Sequence, residues 1–294
     1  MEQRYIELYD EYTHGTMGRR EFLDRLVKLA GGSALALSLL PVLENNYAAA
    51  AAKTGTDKGV NAEYIEFDGK SGKVRGMLAT PDGAKGKLPA VVVIHENRGL
   101  NPHIEDVAKR AAAAGFLALA PDALSPLGGT PADPDEARLA MSKLDREKTV
   151  GDFIAAVDYL KDHKSSNGNV GCVGFCWGGS MANQLAVNSQ NMRAAVAFYG
   201  SQPKAEDVPR IKGAVMLHYA GLDERINAGI DAYRAALEKS GTEFELFIYE
   251  GVNHAFHNDT SEARFNKEAA ELAWKRTIEF WKKHLVPENK NKKT

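Results

Sequence analysis

Asn169-Val170-Gly171-Cys172-Val173-Gly174-Phe175-Cys176-Trp177-Gly178-Gly179-Ser180 reads as a strand, a tight turn and the start of a helix. Val170 and Val173 supply the apolar strand, Gly174 ends it, and paired glycines precede a helix-compatible segment from Met181. A turn this sharp lifts its central side chain, Cys176, above the sheet, and only small neighbours let strand and helix approach so closely. The first N–H groups of the new helix aim at the same point. Negative charge developing on a substrate oxygen there would meet donors and a positive dipole end.

Chain order gives this five-residue pattern its weight. In a nucleophile elbow of this type an acid and then a histidine follow, each after a later strand. Asp223 follows the apolar run 214–219 and His254 follows the run 244–249. His254 would take the thiol proton and return one to the leaving group, and Asp223 would fix its tautomer. His257 and Glu224 are the rival base and acid. Glu96 follows the run Ala90-Val91-Val92-Val93-Ile94 and so belongs to the same end of the sheet. Its carboxylate could hold the thiol proton at rest, with the backbone N–H groups of Asn97 and Trp177 as oxyanion donors.

Around that centre, apolar runs alternate with helix-like stretches from about residue 90, which predicts an α/β fold with a mostly parallel sheet and helices on both faces. Residues 63–67 and 74–79 predict a hairpin at the sheet edge. Helices are expected at 102–114, 135–144, 148–161, 227–240 and 262–284. The Pro/Gly-rich stretch 125–134 is expected as a rim or lid over the active site. The chain of 294 residues needs no disulfide or metal to hold a core. Its 37 Lys and Arg against 39 Asp and Glu leave a net charge of −2, which excludes a case for nucleic-acid binding. His95 and His103 lack the ligand spacing of a zinc protease, so neither metal nor cofactor is expected. Cys172 reads as a buried apolar residue.

Residues 1–52 differ from the rest. Gly18-Arg19-Arg20-Glu21-Phe22-Leu23, a short apolar span and the alanines 48–52 resemble a bacterial twin-arginine export signal. The apolar span is too short and too rich in Gly and Ala for stable membrane insertion. The expectation is export to the periplasm through the twin-arginine machinery. The alternative is a cytoplasmic protein keeping an N-terminal helix, for which Phe22, Leu23, Leu26 and Leu29 have amphipathic spacing. A linker is expected at 53–60, the catalytic domain at 61–286 and a basic tail at 287–294.

With these residues placed, residues 63–285 resemble the dienelactone hydrolase family (carboxymethylenebutenolidases) of the α/β-hydrolase superfamily. The likeness rests on Glu96 at its strand end, the Cys176 elbow, Phe198-Tyr199-Gly200, Asp223 and His254-Ala255-Phe256. It implies an α/β-hydrolase fold and cofactor-free hydrolysis of a small lactone or ester through a thioester. Cys176, His254 and Asp223 would form the triad, Glu96 would gate the thiol, and Asn97 and Trp177 would supply oxyanion donors. Arg98, Tyr199, Phe256 and Asn258 would face the substrate. Family members that open dienelactone grip its carboxylate with two arginines. The matching neighbourhoods here, His254-Ala255-Phe256-His257-Asn258 and Pro121-Asp122-Ala123-Leu124-Ser125-Pro126, offer neither, so a different substrate is expected. Two other readings stay open: a thiol redox protein using Cys172 and Cys176, and a silent binding protein on the hydrolase scaffold.

Overall fold

The run around residue 90 becomes β3 (Leu88–Ile94), a strand with Ala90 to Ile94 fully out of water. Such a run can exist only where both faces are covered. The computed structural model, which describes residues 1–47 and 58–287, places β3 in the interior of an eight-stranded sheet of order β1-β2-β4-β3-β5-β6-β7-β8. The other strands are β1 (Val60–Gly69), β2 (Gly72–Pro81), β4 (Leu117–Pro121), β5 (Ser166–Phe175), β6 (Met192–Phe198), β7 (Ala214–Ala220) and β8 (Phe244–Tyr249). β1 and β2 form the expected edge hairpin, β2 runs antiparallel to β4, and every pairing from β4 to β8 is parallel.

Helices cover both faces, as the alternation requires. One core packs the sheet against α6 (Arg146–Asp162), α7 (Trp177–Asn188) and α9 (Ile230–Ser240). The other packs it against α4 (Pro102–Ala113) and α10 (Lys267–Leu285). This is the α/β-hydrolase architecture. Parallel strands put their C-terminal ends, and the loops that leave them, along one rim of the sheet.

Three expectations need correction. The helix expected at 227–240 is two helices, α8 (Glu224–Asn227) and α9, interrupted at Ala228 and Gly229. The closing helix begins at Lys267 rather than 262, because Asn266 caps it by accepting the Ala269 N–H at 3.0 Å. The stretch 125–134 is neither rim nor lid of the cavity that holds Cys176 and Tyr199; its residues 130–132 line a separate cavity with Arg98. Asp122 draws the stretch in by accepting the Thr130 N–H and hydroxyl at 2.8 and 2.7 Å, and the wall of the Cys176 cavity comes from α5 (Pro134–Met141) and the residue after it.

Residues 3–43 form α1 (Gln3–His14), α2 (Arg19–Ala30) and α3 (Ser33–Leu43). They share a small core of Tyr5, Ile6, Tyr9, Tyr12, Phe22 and Leu26, in which Tyr12 stacks on Phe22 at 4.5 Å. No single described helix is long and apolar enough to cross a membrane; α2 and α3 together would be, but they are bent by 118°. The alanines 48–52, most of the linker and the lysines of the tail lie outside the described residues.

Candidate active site

Cys176 directly follows the last residue of β5, with φ of 55° and ψ of −113°, and α7 starts at the next residue. Among the described residues only three non-glycines have positive φ, and they are Cys176, Tyr199 and Ala255. All three lie at this rim, which is where stored backbone strain marks a functional turn. The closeness expected of the elbow is met: a Cβ on Gly174 would stand 1.8 Å from the carbonyl oxygen of Gly178. The Cys176 N–H donates to Phe198 O at 3.0 Å, and the Tyr199 N–H to His218 O at 2.7 Å, stitching successive strand ends together.

Asp223 and His254 are brought together by their loops. Gly221 N–H donates to Tyr249 O at 2.8 Å and Leu222 N–H to Val252 O at 3.0 Å. The Asp223 Oδ2 then lies 2.5 Å from His254 Nδ1, while its Oδ1 accepts the Ile226 N–H at 3.2 Å and caps α8. One carboxylate thus orients the histidine and caps a helix. With Nδ1 committed, His254 turns Nε2 inward, where it has no hydrogen-bond partner. Donor atoms of Cys176, His254 and His14 lie within 4.8 Å of one another.

His14, at the end of α1, was not anticipated. Its Nε2 is 3.2 Å from Cys176 Sγ. Burial pushes the Cys176 thiol up, but His14 and then His254 more than offset it and bring it down to about 6. Burial opposes charge on His254 as well, yet Asp10, Cys176 and Asp223 hold it well above the ordinary histidine range. These shifts favour a thiolate beside imidazolium, the reactive form of cysteine.

Glu96 is 95% out of water, and its Oε2 accepts from Asn258 Nδ2 at 2.6 Å while Oε1 has no partner. It shares a small cavity with Cys176 and His254, but the sulfur's hydrogen-bond partner is His14. Trp177 is the first residue of α7, whose opening N–H groups have no intrahelical acceptor. Asn97 donates its side-chain amide to Thr13 O at 2.8 Å. Both line a cavity of about 410 Å³ together with Cys176, His254, His14 and Tyr199, and a larger one of about 590 Å³ shares His14 and His254 and is lined by Asp10, Asp223 and Arg225.

The remaining expected residues divide. Tyr199 faces the 410 Å³ cavity. Phe256 lies behind it, fully buried with its ring 5.4 Å from that of Tyr199, and Asn258 is fully buried on Glu96. Arg98 is buried and lines the small cavity instead. The arginines of the 410 Å³ cavity are Arg138 of α5 and Arg225 of α8, and Arg225 also lines the larger one. His257 turns away from the thiol to stack on Phe175 at 4.9 Å, which removes it as the base.

Both cysteines are free thiols. Cys172 belongs to the core under α6 and α7, Cys176 to the core on the opposite face, so a bridge between them would require β5 to come apart. Burial pushes the Cys172 thiol up to about 12, which keeps it inert. His95 and His103 do not converge as metal ligands: His95 Nδ1 donates to Glu96 O at 2.6 Å while Nε2 accepts the Ala123 N–H, and His103 faces Asp259 at 3.2 Å. Among the described residues two sets have metal-ligand proximity, His14 with Cys176 and His254, and Asp10 with Asp223 and His254, and both centre on the histidine beside the sulfur.

Residues 74–285 match the family described as dienelactone hydrolase, and residues 1–29 match a separate one described as YqhI-like. A putative carboxymethylenebutenolidase of Saccharolobus solfataricus is 35% identical over 256 residues, covering 74% of this chain and 96% of that protein. Another from Methylorubrum extorquens is 29% identical and covers 92% of this chain and 94% of its own, so that match takes in part of the segment before the sheet. The crystal structure of a putative dienelactone hydrolase from Klebsiella pneumoniae superposes with a TM-score of 0.69 at 25% identity, covering 76% of this chain and 99% of that one.

Proposed function

The chain belongs to the dienelactone hydrolase family and is a hydrolase of that class, and from this premise we propose that it cleaves a small lactone or carboxylic ester through a thioester on Cys176. The observation that carries the reading is the buried sulfur at a strained turn, with His254 beside it and Asp223 2.5 Å behind His254. No other described cysteine is placed for attack, since Cys172 is packed inside the opposite core.

In acylation the thiolate forms an S–C bond to the carbonyl carbon, and the oxygen of that carbonyl takes up negative charge beside the N–H groups at the start of α7. Collapse breaks the C–O bond, and the imidazolium of His254 gives its proton to the departing alkoxide. Neutral His254 then removes a proton from water as its oxygen attacks the thioester. The C–S bond breaks, a carboxylic acid leaves, and thiolate and imidazolium are restored. Asp223 keeps the ring in the tautomer that both half-reactions need.

Cationic groups in the cavity favour an acid portion that itself carries a negative charge. Arg138 and Arg225 line it, and they occupy different elements from the two loops in which the family's carboxylate-gripping arginines are missing. A small ester with a distal carboxylate fits this wall.

The test uses aryl esters with Cys176→Ala and Cys176→Ser. Turnover of p-nitrophenyl acetate should vanish with alanine, and mass spectrometry of quenched wild type should show an acyl group on the peptide containing Cys176. Wild-type turnover by the alanine variant would reject the mechanism.

A further inference from the structure

Residues 1–47 hold the catalytic domain by directed contacts as well as by packing. Gln3 Nε2 donates to Asn253 Oδ1 at 2.7 Å, in the loop that carries His254, and Asn97 donates to Thr13 O. Arg19, the first arginine of the twin pair, donates to Asp135 Oδ2 at 3.0 Å and pairs with Glu44 at 2.8 Å. Arg264 donates to Asn45 Oδ1 at 2.8 Å, and its guanidinium lies 4.9 Å over the ring of Tyr9. Two backbone bonds, Asn46 N–H to Thr260 O and Ala263 N–H to Val42 O, close the junction.

These contacts deliver a second imidazole to the nucleophile. His14 presents Nε2 to Cys176 Sγ at 3.2 Å, while its Nδ1 lies 3.0 Å from Asp10 O and 3.4 Å from Asp10 Oδ1. Its ring meets that of His254 edge-on at 4.5 Å. The sulfur therefore stands between two histidines: His254 has the Asp223 carboxylate on its far nitrogen, and His14 has the Asp10 main-chain carbonyl there, with the Asp10 carboxylate 3.4 Å away. An i, i+4 spacing on α1 makes the second pair, just as two loops make the first.

We propose that His14, oriented by Asp10, is a catalytic residue of this hydrolase, and that residues 1–43 are a retained wall of its active site rather than a leader discarded on export. The inference rests on the reading of Cys176 as the nucleophile. His14 holds the thiolate as an ion pair before attack and again as the C–S bond of the thioester breaks, stabilising the charge that returns to sulfur, while His254 moves protons to and from substrate. No bond or electron is added to the cycle above. Cleavage after residue 52 would remove His14 and open the cavity wall formed by Thr13, His14 and Gly15.

The charged groups around His14 are consistent with this role. Asp10 faces it from its own helix, Cys176 from the start of α7, and His254 with Asp223 from the loops after β8 and β7. Arg264 stands 3.8 Å from Asp10, and Arg138 and Arg225 line the cavity. Burial opposes charge on His14 and His254 repels it, but Cys176 and Asp10 outweigh them and hold it above its ordinary range.

The test compares full-length wild type with His14→Gln, His14→Ala and Asp10→Asn. Iodoacetamide alkylation of Cys176 is followed against pH beside ester turnover, with a thermal melt for each variant. Both His14 variants should move the alkylation midpoint up by at least one pH unit and lower kcat at pH 7 by about tenfold or more. Asp10→Asn should shift the midpoint in the same direction, and added imidazole should restore part of the activity of His14→Ala but not of His14→Gln. If His14→Ala does not fold, His14→Gln decides. An unmoved midpoint in a folded His14→Gln protein overturns the proposal, whether or not turnover falls, because a wall residue alone would leave the thiol unchanged. Full turnover by Cys176→Ala in the same assays would instead overturn the nucleophile reading beneath it. An intact mass lacking residues 1–52 in protein from the native host would overturn retention.

Discussion

The Asp223 carboxylate reaches His254 Nδ1 at 2.5 Å from the N-cap position of α8, so one side chain joins the histidine loop to the start of a helix. Replacing it by asparagine keeps the cap acceptor for Ile226 and removes the charge. An amide N–H facing Nδ1 also forces the ring into the tautomer with hydrogen on Nε2, which cannot accept a proton. Asp223→Asn is therefore expected to lower kcat by roughly 10²- to 10⁴-fold with little change in the melting temperature. Steady-state kinetics beside a thermal melt checks both halves, and a large loss of stability would assign Asp223 to the scaffold.

Arg225 is exposed on α8 yet lines the same cavity. If the cavity takes an acid with a distal carboxylate, Arg225→Ala should raise KM for p-nitrophenyl hemisuccinate by about three- to tenfold, the range for a charge-assisted contact open to water. KM for p-nitrophenyl acetate should stay within about twofold. The discrimination should shrink in high salt. Equal effects on the two esters would show that Arg225 does not read charge.

Gly200 follows Tyr199 where β6 meets the elbow helix. A Cβ there would lie 2.2 Å from the Gly179 carbonyl carbon and 2.4 Å from the Ser180 nitrogen. Both are backbone atoms that cannot swing aside, so Gly200→Ala must push β6 and α7 apart. A loss of about 3 kcal/mol or more is expected, at the upper end of overpacking costs. Gly18→Ala is the control, because a Cβ at Gly18 meets nothing within 4 Å. Urea unfolding of the two variants should separate them clearly, and equal stabilities would deny the close approach.

Much of this site could be read in advance because its constraints are local. Gly174, Gly178 and Gly179 announce a strand and helix in contact, and a nucleophile between them leaves the acid and base to be sought after later strands. Asp223 and His254 are found that way. Phe256 and Asn258 are two and four residues past His254, but the turn at Ala255, with φ of 64°, sends them inward, and no spacing rule reports that turn. His14 is hidden for another reason: it meets Cys176 across 162 positions, through contacts that no periodicity encodes. A signal was nonetheless present. Tyr5, Tyr9 and Tyr12 share one helical face, and Asp10 and His14 stand four residues apart on that helix.

His218 is fully buried in β7, with Nδ1 3.0 Å from the Tyr249 hydroxyl and Nε2 3.3 Å from the Thr277 hydroxyl. Burial, and then Arg276, push it down to about 3. An unfolded chain binds a proton at this histidine below about pH 6.5, whereas the folded protein does not until about pH 3. Between those values the unfolded state holds more protons, so stability rises with pH and falls on acidification, by at most about 1.4 kcal/mol per pH unit for this one group. His14 and His254 act in the opposite sense. Their folded values are raised, so their contribution is present below the unfolded value and is lost as pH climbs through the folded one. Net wild-type behaviour mixes the two, but a difference between proteins isolates one. His218→Gln keeps polar atoms for both hydroxyls and cannot titrate, so its unfolding free energy should decline less than that of wild type between pH 6.5 and 4.5. Urea titrations at three pH values measure the two slopes. Parallel slopes would mean that His218 is protonated in the folded protein and that its two hydroxyl partners act as acceptors.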